Sequence, residues 1–233
     1  MIDVLLAGAG GAVLGALATG VYAPNSGLFG PAVGWGPPEQ RRVYLTFDDG
    51  PNSRATDAIL DTLAACGAPA AFFMVGDHVA LFPGVARSVA AAGHLIGNHT
   101  QHHVKLHRRG PGRIRRELGE AHQTIADVTG VAPAAFRAPH GYRNPFVAMA
   151  TRRLGYTVFG WSFGVWDSAR PPAHEIRRRV RAKIAPGAII LLHDGDGYDP
   201  NGDRTPTADA LAGIIEDARA AGYELSSLGA LLR

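Results

Sequence analysis

From residue 43 onward, short apolar runs alternate with longer helix-forming stretches, and this regularity constrains the chain more than any other feature. Val43–Phe47 reads as a buried strand and 54–66 as a helix. The pair recurs as strand 69–75 with helix 83–93, strand 95–98 with helix 113–130, and strand 134–136 with helix 145–155. It continues as strand 156–161 with helix 172–185, then strand 188–192 with helix 207–222, and closes on strand 223–226. Gly93, Gly130, Gly155 and Gly222 stand where these helices should stop, and Pro83, Pro145 and Pro172 where they should start. Alternation at this spacing predicts an α/β fold, a distorted or incomplete (β/α) barrel of about seven strands. A doubly wound open sheet is the alternative arrangement.

The region before residue 43 is different. No charged residue occurs from Val4 to Pro38. Val4–Ala23 has roughly the 20 residues that cross a bilayer, although Ala and Gly dominate it. Asp3 and the absence of any preceding Lys or Arg argue against a cleaved signal, as does Pro24 directly after Ala23. The expected organisation is an apolar segment over 1–23 acting as a membrane anchor, a Pro/Gly-rich linker over 24–42, and a catalytic domain over 43–233. This would place the domain at the cell envelope, on a side of the membrane that the sequence leaves open. An apolar helix packed on the domain is the competing reading. Gly8-Ala9-Gly10 hints at a dinucleotide turn, but Val13 occupies the third glycine position.

Composition narrows the function classes. Apolar residues at 46% and charged residues at 18% exclude a disordered chain. A net charge of +3 gives no argument for a nucleic-acid partner, and none is expected. A single cysteine, Cys66, excludes a disulfide framework and any Cys-rich metal site. The ten histidines turn attention to a metal held by His and carboxylate.

The polar residues fall where an active site would need them. Asp48-Asp49 follow the first strand, His99, His102 and His103 the third, and Arg137 the fourth. Asp167 comes shortly after the fifth strand, and His193-Asp194 follow the sixth. In a barrel the carboxyl ends of the strands converge on one face. Adjacent carboxylates after a buried strand repel unless something offsets them, and a divalent cation would. His99 and His103 are spaced i, i+4, so one helical turn would bring both imidazoles to one ion. Two His and one carboxylate with open positions is a catalytic set. Zn²⁺ suits it best, with Co²⁺, Ni²⁺ or Fe²⁺ as alternatives. The second Asp is then available as general base and His193 as general acid. Asp167 would tune His193, and Arg137 would hold the base carboxylate.

These segments resemble the ordered motifs of one family. Thr46-Phe47-Asp48-Asp49-Gly50, His99-Thr100-Gln101-His102-His103, Arg137-Ala138-Pro139-His140-Gly141 and Leu191-Leu192-His193-Asp194 are similar to those of the NodB-like polysaccharide deacetylases, carbohydrate esterase family four. The resemblance spans about residues 43–228. It implies a distorted (β/α) barrel and metal-dependent N- or O-deacetylation of a sugar polymer, with an N-acetylated polysaccharide or oligosaccharide as the expected substrate. It implies Asp48 as base, with Asp49, His99 and His103 as metal ligands. His102 stands beside His103, and the family's i, i+4 spacing selects His103. Arg137 would support the base, the His140 N–H would help hold the oxyanion, His193 would be the acid, and Leu191 would meet the acetyl methyl. The family's Asp-Trp pair is altered: Asp167 fits, Ser168 takes the Trp place, and Trp166 precedes it. Tyr142, Trp161, Trp166 and Tyr198 are aromatic residues suited to sugar stacking.

Competing functions can be named. Gly160-Trp161-Ser162-Phe163-Gly164 spells a serine-hydrolase elbow, but the stretch after it reads as a loop and not a helix. An amidohydrolase acting on a small cyclic amide could use the same fold. So could a non-catalytic carbohydrate-binding homologue, which should then have lost Asp48 or His193. Two basic clusters, Lys105–Arg116 and Arg177–Lys183, read as solvated faces or as surfaces for anionic headgroups. Asp196–Asp203, rich in Gly, Asp and Asn, reads as a mobile loop near the active face.

Overall fold

The structure, a computed structural model, describes Gly15 and residues 17–233. Most of the expected anchor over 1–23 and the Gly8-Ala9-Gly10 turn therefore lie outside the described residues. Among the described residues no helix is long and apolar enough to cross a membrane.

In chain order the elements are β1 (Arg42–Asp48), α1 (Ala55–Cys66), β2 (Ala70–Met74), α2 (Gly76–Leu81), α3 (Pro83–Ala91) and β3 (Leu95–Asn98). Then come α4 (Pro111–Thr129), β4 (Ala135–Phe136), α5 (Pro145–Arg153), β5 (Thr157–Val158) and β6 (Phe163–Gly164). The last are α6 (Ala173–Lys183), β7 (Ile189–His193), α7 (Thr205–Ala220) and β8 (Glu224–Leu225). The strands run β5-β4-β3-β2-β1-β7-β6, all parallel, and β8 adds to the start of β1. This is the expected incomplete barrel.

Two layers of apolar side chains follow from the two-residue period of a strand. Val43, Leu45 and Phe47 of β1 pack outward with Phe72, Ile190 and Leu192 against α1, α6 and α7. Tyr44 packs inside the curl with Ala71, Phe73, Ala135 and Ile189. Each fully buried Leu, Ile or Phe contributes roughly 1.5–3 kcal/mol. The inward positions become polar at the carboxyl ends. Thr46 pairs with Leu191 and Asp48 with His193 in the β1–β7 register, so the last inward residues of adjacent strands face one cavity.

The expected strand over 156–161 is only the short β5, and a further strand that the sequence reading lacked, β6, follows it on the opposite edge of the arc. Residues 157–158 pair with β4, and the chain then crosses the opening to add 163–164 to β7. The gap between these edges is filled from the N-terminal side. Val33 bridges to Phe159 and Trp35 to Ala188, and Val33 joins the inner core. Arg143, itself buried, donates to the carbonyls of Pro24, Ser26 and Gly30. The stretch expected to be a linker over 24–42 is thus partly barrel wall. Sequence patterning misses it because single bridges need no apolar run.

Candidate active site

Asp49, His99 and His103 converge. The Nε2 atoms of His99 and His103 lie 3.3 Å and 3.1 Å from Asp49 Oδ1. The ligand atoms of the trio all fall within 4.8 Å of one another, and each residue is buried. His99 Nδ1 lies 2.8 Å from the Arg137 carbonyl, which can only accept, so Nδ1 carries the proton. In the neutral ring the Nε2 lone pair then faces a carboxylate oxygen. That contact is repulsive unless a proton or a cation sits between them. Burial alone would raise the pKa of Asp49, but hydrogen bonds from the His103 and His99 rings, when each carries a proton on Nε2, outweigh it and hold the carboxyl well below its usual range. Two imidazole nitrogens and a carboxylate in a buried cluster fit a divalent metal.

The expected helical turn over 99–103 is instead a loop. Thr100 and His103 take left-handed backbone angles, φ 72° and φ 50°. The loop's polar groups are satisfied by neighbours instead. Asn98 Oδ1 accepts from the Thr100 N–H, while the Thr100 and Gln101 carbonyls accept from the N–H groups of Gly76 and Asp77. Glu117, fully buried on α4, accepts from the His102 N–H at 3.0 Å and lies 3.1 Å from its ring Nδ1. The Glu117 backbone carbonyl also accepts from the Gln101 N–H. His102 is thereby turned away from Asp49, and His103 is the residue that joins the cluster.

Asp48 sits beside this group. Its Oδ1 accepts from Arg137 Nη1 at 2.6 Å, and its Oδ2 lies 3.9 Å from His99 Nε2. Arg137 is fully buried and also donates to Thr46 Oγ1 and the Gly160 carbonyl, each at 2.8 Å. Its guanidinium lies over the Phe73 ring, 4.1 Å from the centroid. Such a fixed fork sets the orientation of Asp48 and leaves Oδ2 for chemistry.

Opposite them, His193 is bonded twice to Asp167. The His193 N–H donates to Asp167 Oδ2 at 2.7 Å, and the ring Nδ1 lies 3.0 Å from Oδ1. Thr207 donates a further bond to the same carboxylate at 3.0 Å. Burial works against a charged His193, but the Asp167 carboxylate, followed by Asp49 and Asp48, holds its pKa up to about 9. The bonds occupy Nδ1, so Nε2 is the nitrogen available to a substrate.

A cavity of about 460 Å³ collects these groups, lined by Asp48, Asp49, His99, His103 and His193 with Leu191, Tyr142, Trp161, Trp166 and Tyr198 among its walls. His140 takes φ 58°, and its N–H has no partner among the described residues. Burial, with His103 and Lys105 nearby, pushes the His140 ring down to about 4. Left-handed backbone at Asp49, His103, His140 and Trp166 concentrates strain around one cavity.

Comparison with known proteins decides the family. A sequence model described as polysaccharide deacetylase matches residues 36–159. A chitooligosaccharide deacetylase from Rhizobium leguminosarum bv. trifolii is 38% identical over 82% of this chain and 91% of its own length. The chain belongs to the polysaccharide deacetylase family. A peptidoglycan-N-acetylglucosamine deacetylase from Bacillus cereus is 32% identical over 84% of this chain and 91% of its own length. The crystal structure of a peptidoglycan N-acetylglucosamine deacetylase superposes with a TM-score of 0.79 at 28% identity, covering 86% of this chain and 92% of that one.

Within this polysaccharide deacetylase, every candidate site residue lines the cavity or, as Arg137 does, bonds to a residue that lines it. Trp166 is 75% exposed at the rim, one position before Asp167, and Ser168 also reaches the lining. The elbow-like Ser162 is no nucleophile here: its hydroxyl donates to the Gly34 carbonyl and accepts from the Ile189 N–H, sealing the barrel seam. Several residues escaped the sequence reading. Glu117 carried a signal, because it interrupts an apolar stripe with Ile114, Leu118, Ala121 and Ile125 on α4. His78, whose Nδ1 lies 2.8 Å from the Asp49 carbonyl, carried none. Nor did Arg204, which bonds to the carbonyls of Gly195 and Ser168 and to Asp196. With Asn52 bonded to the Pro200 carbonyl, Arg204 ties down the loop expected to be mobile. Buried Asp194, bonded to Thr56, is pushed up to about 7 by burial.

Proposed function

We propose that this chain is a metal-dependent hydrolase that removes acetyl groups from an N-acetylated saccharide and releases acetate. The observation that carries the reading is the Asp49/His99/His103 cluster flanked in one cavity by Asp48 on one side and the Asp167-bound His193 on the other. Asp49, His99 and His103 would hold the metal. When bound, a divalent cation polarises a carbonyl and lowers the pKa of water. Asp48, oriented by Arg137, takes the proton from the attacking water through Oδ2. The His140 N–H receives the developing oxyanion. His193 delivers its proton from Nε2 to the leaving nitrogen, so the amide C–N bond breaks and a free amine and acetate result. Leu191 meets the acetyl methyl, while Tyr142 and Trp166 offer faces to the sugar.

Zn²⁺ is the metal we infer, because two imidazoles and one carboxylate with open positions are its common catalytic set. Co²⁺, Ni²⁺ and Fe²⁺ suit the same donors. The substrate is a chitooligosaccharide or peptidoglycan strand, as the names of the relatives suggest. The uncharged run from Val4 to Pro38 supports attachment to a membrane at the cell envelope.

The test is acetate release from N-acetylglucosamine oligomers and peptidoglycan by the full chain, since residues 33–35 form part of the barrel. Chelator should abolish release, Zn²⁺ or Co²⁺ should restore it, and Asp48→Asn should show none. Metal bound at one per chain with no acetate from any saccharide would overturn the substrate class. Absence of metal binding would overturn the mechanism.

A further inference from the structure

The basic segment after His103 has no part in the chemistry above, yet it borders the site. A second cavity, of about 390 Å³, is lined by His102, His103, Lys105, Arg108, Arg109 and Tyr198 among others. It shares His103 and Tyr198 with the catalytic cavity. Tyr198 stands edge-on to the His103 ring at 5.0 Å, and its hydroxyl lies 2.9 Å from His140 Nε2. The two spaces are thus neighbouring parts of one surface, parted by a tyrosine.

The charge here is unlike that elsewhere around the catalytic cavity. Arg170 and Arg204 are both paired with Asp196, and Arg137 with Asp48. Arg113 is paired with Glu117, and Asp77 lies towards His102. Lys105, Arg108 and Arg109 have no carboxylate partner among the described residues, and the one side-chain bond of Arg108 goes to the His107 ring. The segment is held firmly despite its exposed side chains. Leu106 is fully buried, and the Asn144 amide bonds to the carbonyls of Leu106, His107 and Arg109. A fixed backbone that presents three cations without a carboxylate partner to one cavity is electrostatically suited to an anion.

We infer that Lys105, Arg108 and Arg109 form a subsite for a carboxylate on the sugar next to the one being deacetylated. The substrate is then an anionic glycan and not a neutral oligomer. The inference rests on the deacetylase reading for the placement of that sugar. A glycan source is favoured over a lipid headgroup because the cavity adjoins the catalytic one, with His103 and Tyr198 in the walls of both. One chain lying across Tyr198 fills both.

The probe is a peptide-free glycan strand in which N-acetylglucosamine alternates with its lactyl-ether acid, set against the same strand with its carboxyls reduced to alcohols. The full-length wild type should deacetylate the carboxylated strand with a kcat/KM about tenfold higher, and the preference should shrink in high salt. In Lys105→Glu/Arg108→Glu/Arg109→Glu the ratio of the two values should fall about tenfold or invert. Binding of both strands to Asp48→Asn is measured in parallel and needs no turnover. Failure of acetate release from every strand would sink the deacetylase reading and leave the binding comparison to decide the subsite. Equal handling of both strands by the wild type overturns the inference. So does an equal fall on both strands in the variant, which would mark the segment as support for the His103 loop. Unchanged strand preference with lost binding to phosphatidylglycerol vesicles also overturns it, and would assign the patch to a membrane surface.

Discussion

Asp167→Asn removes a charge while keeping the shape of the side chain. Asp167 is buried and accepts two bonds from His193, through the backbone N–H at 2.7 Å and the ring at 3.0 Å. Burial disfavours the imidazolium, and the Asp167 carboxylate is the main force that holds the pKa up to about 9. With an amide in its place only the weaker pull of Asp49 and Asp48 still opposes burial, and the pKa should drop to about 6.5 or lower. At pH 8 the protonated fraction then falls from roughly nine-tenths to about three-hundredths, a loss of about 30-fold in the acid form. A group with a raised pKa is charged below that value and neutral above it. Catalysis that needs the imidazolium is therefore lost on the alkaline side. The alkaline limb of kcat/KM should move down by about two pH units or more in the variant. A cation held by Asp49 would lower both limbs and leave the difference between the proteins. The assay is acetate release from about pH 5.5 to about pH 10 with metal saturating. A variant that loses activity by the same factor at every pH, with its alkaline limb unmoved, would refute the argument and leave Asp167 as an orienting group alone. Stability provides a second readout. The His193 contribution is present below its ordinary pKa and fades as pH rises through about 9. The Asp167 contribution, with its pKa lowered, fades as pH falls through its folded value. The melting-temperature gap between wild type and variant should thus narrow at both pH extremes.

Glu117→Ala frees the His102 N–H and ring between two metal ligands, and should weaken metal affinity by about tenfold or more in a chelator competition. Glu117→Gln, which keeps an acceptor for the N–H, should recover part of it. Gly197→Ala would place a methyl group against the His103 ring, so metal occupancy should fall by elemental analysis. The metal-free protein should lose about 1–3 kcal/mol of unfolding free energy, because the methyl overpacks a buried ring. Trp166→Ala removes a side chain that is 75% exposed, and should raise KM for oligosaccharides several-fold while stability changes by less than about 0.5 kcal/mol.

How much of this was legible in the sequence depended on whether a feature had a period or a partner. β1, β2, β3 and β7 were visible because a central parallel strand is apolar on both faces, and Pro83 and Pro145 marked helix starts as Gly130 marked a helix end. The edge strands β5 and β6 were not separable, since two-residue strands carry no alternation. The six-residue helix α2 was missed for the same reason of length. Asp48, Asp49, His99, His103, Arg137, Asp167 and His193 were found because polar residues at the ends of buried strands conflict with their surroundings unless they have a use.

The sequence by itself determined the α/β alternation, the set of polar residues at strand ends and the likeness to one family, because these are properties of short segments and their order. Only the tertiary structure decided how the groups meet. It placed His103, and not His102, against Asp49 by means of Glu117, 15 residues beyond the His102 that it holds. It brought Val33 and Trp35 into the gap between the edge strands, and it left Lys105, Arg108 and Arg109 beside Tyr198 with no carboxylate partner among the described residues. The reason is physical: pairing, burial and charge compensation depend on distances through space, and residues far apart in the chain supply most of the partners at this site.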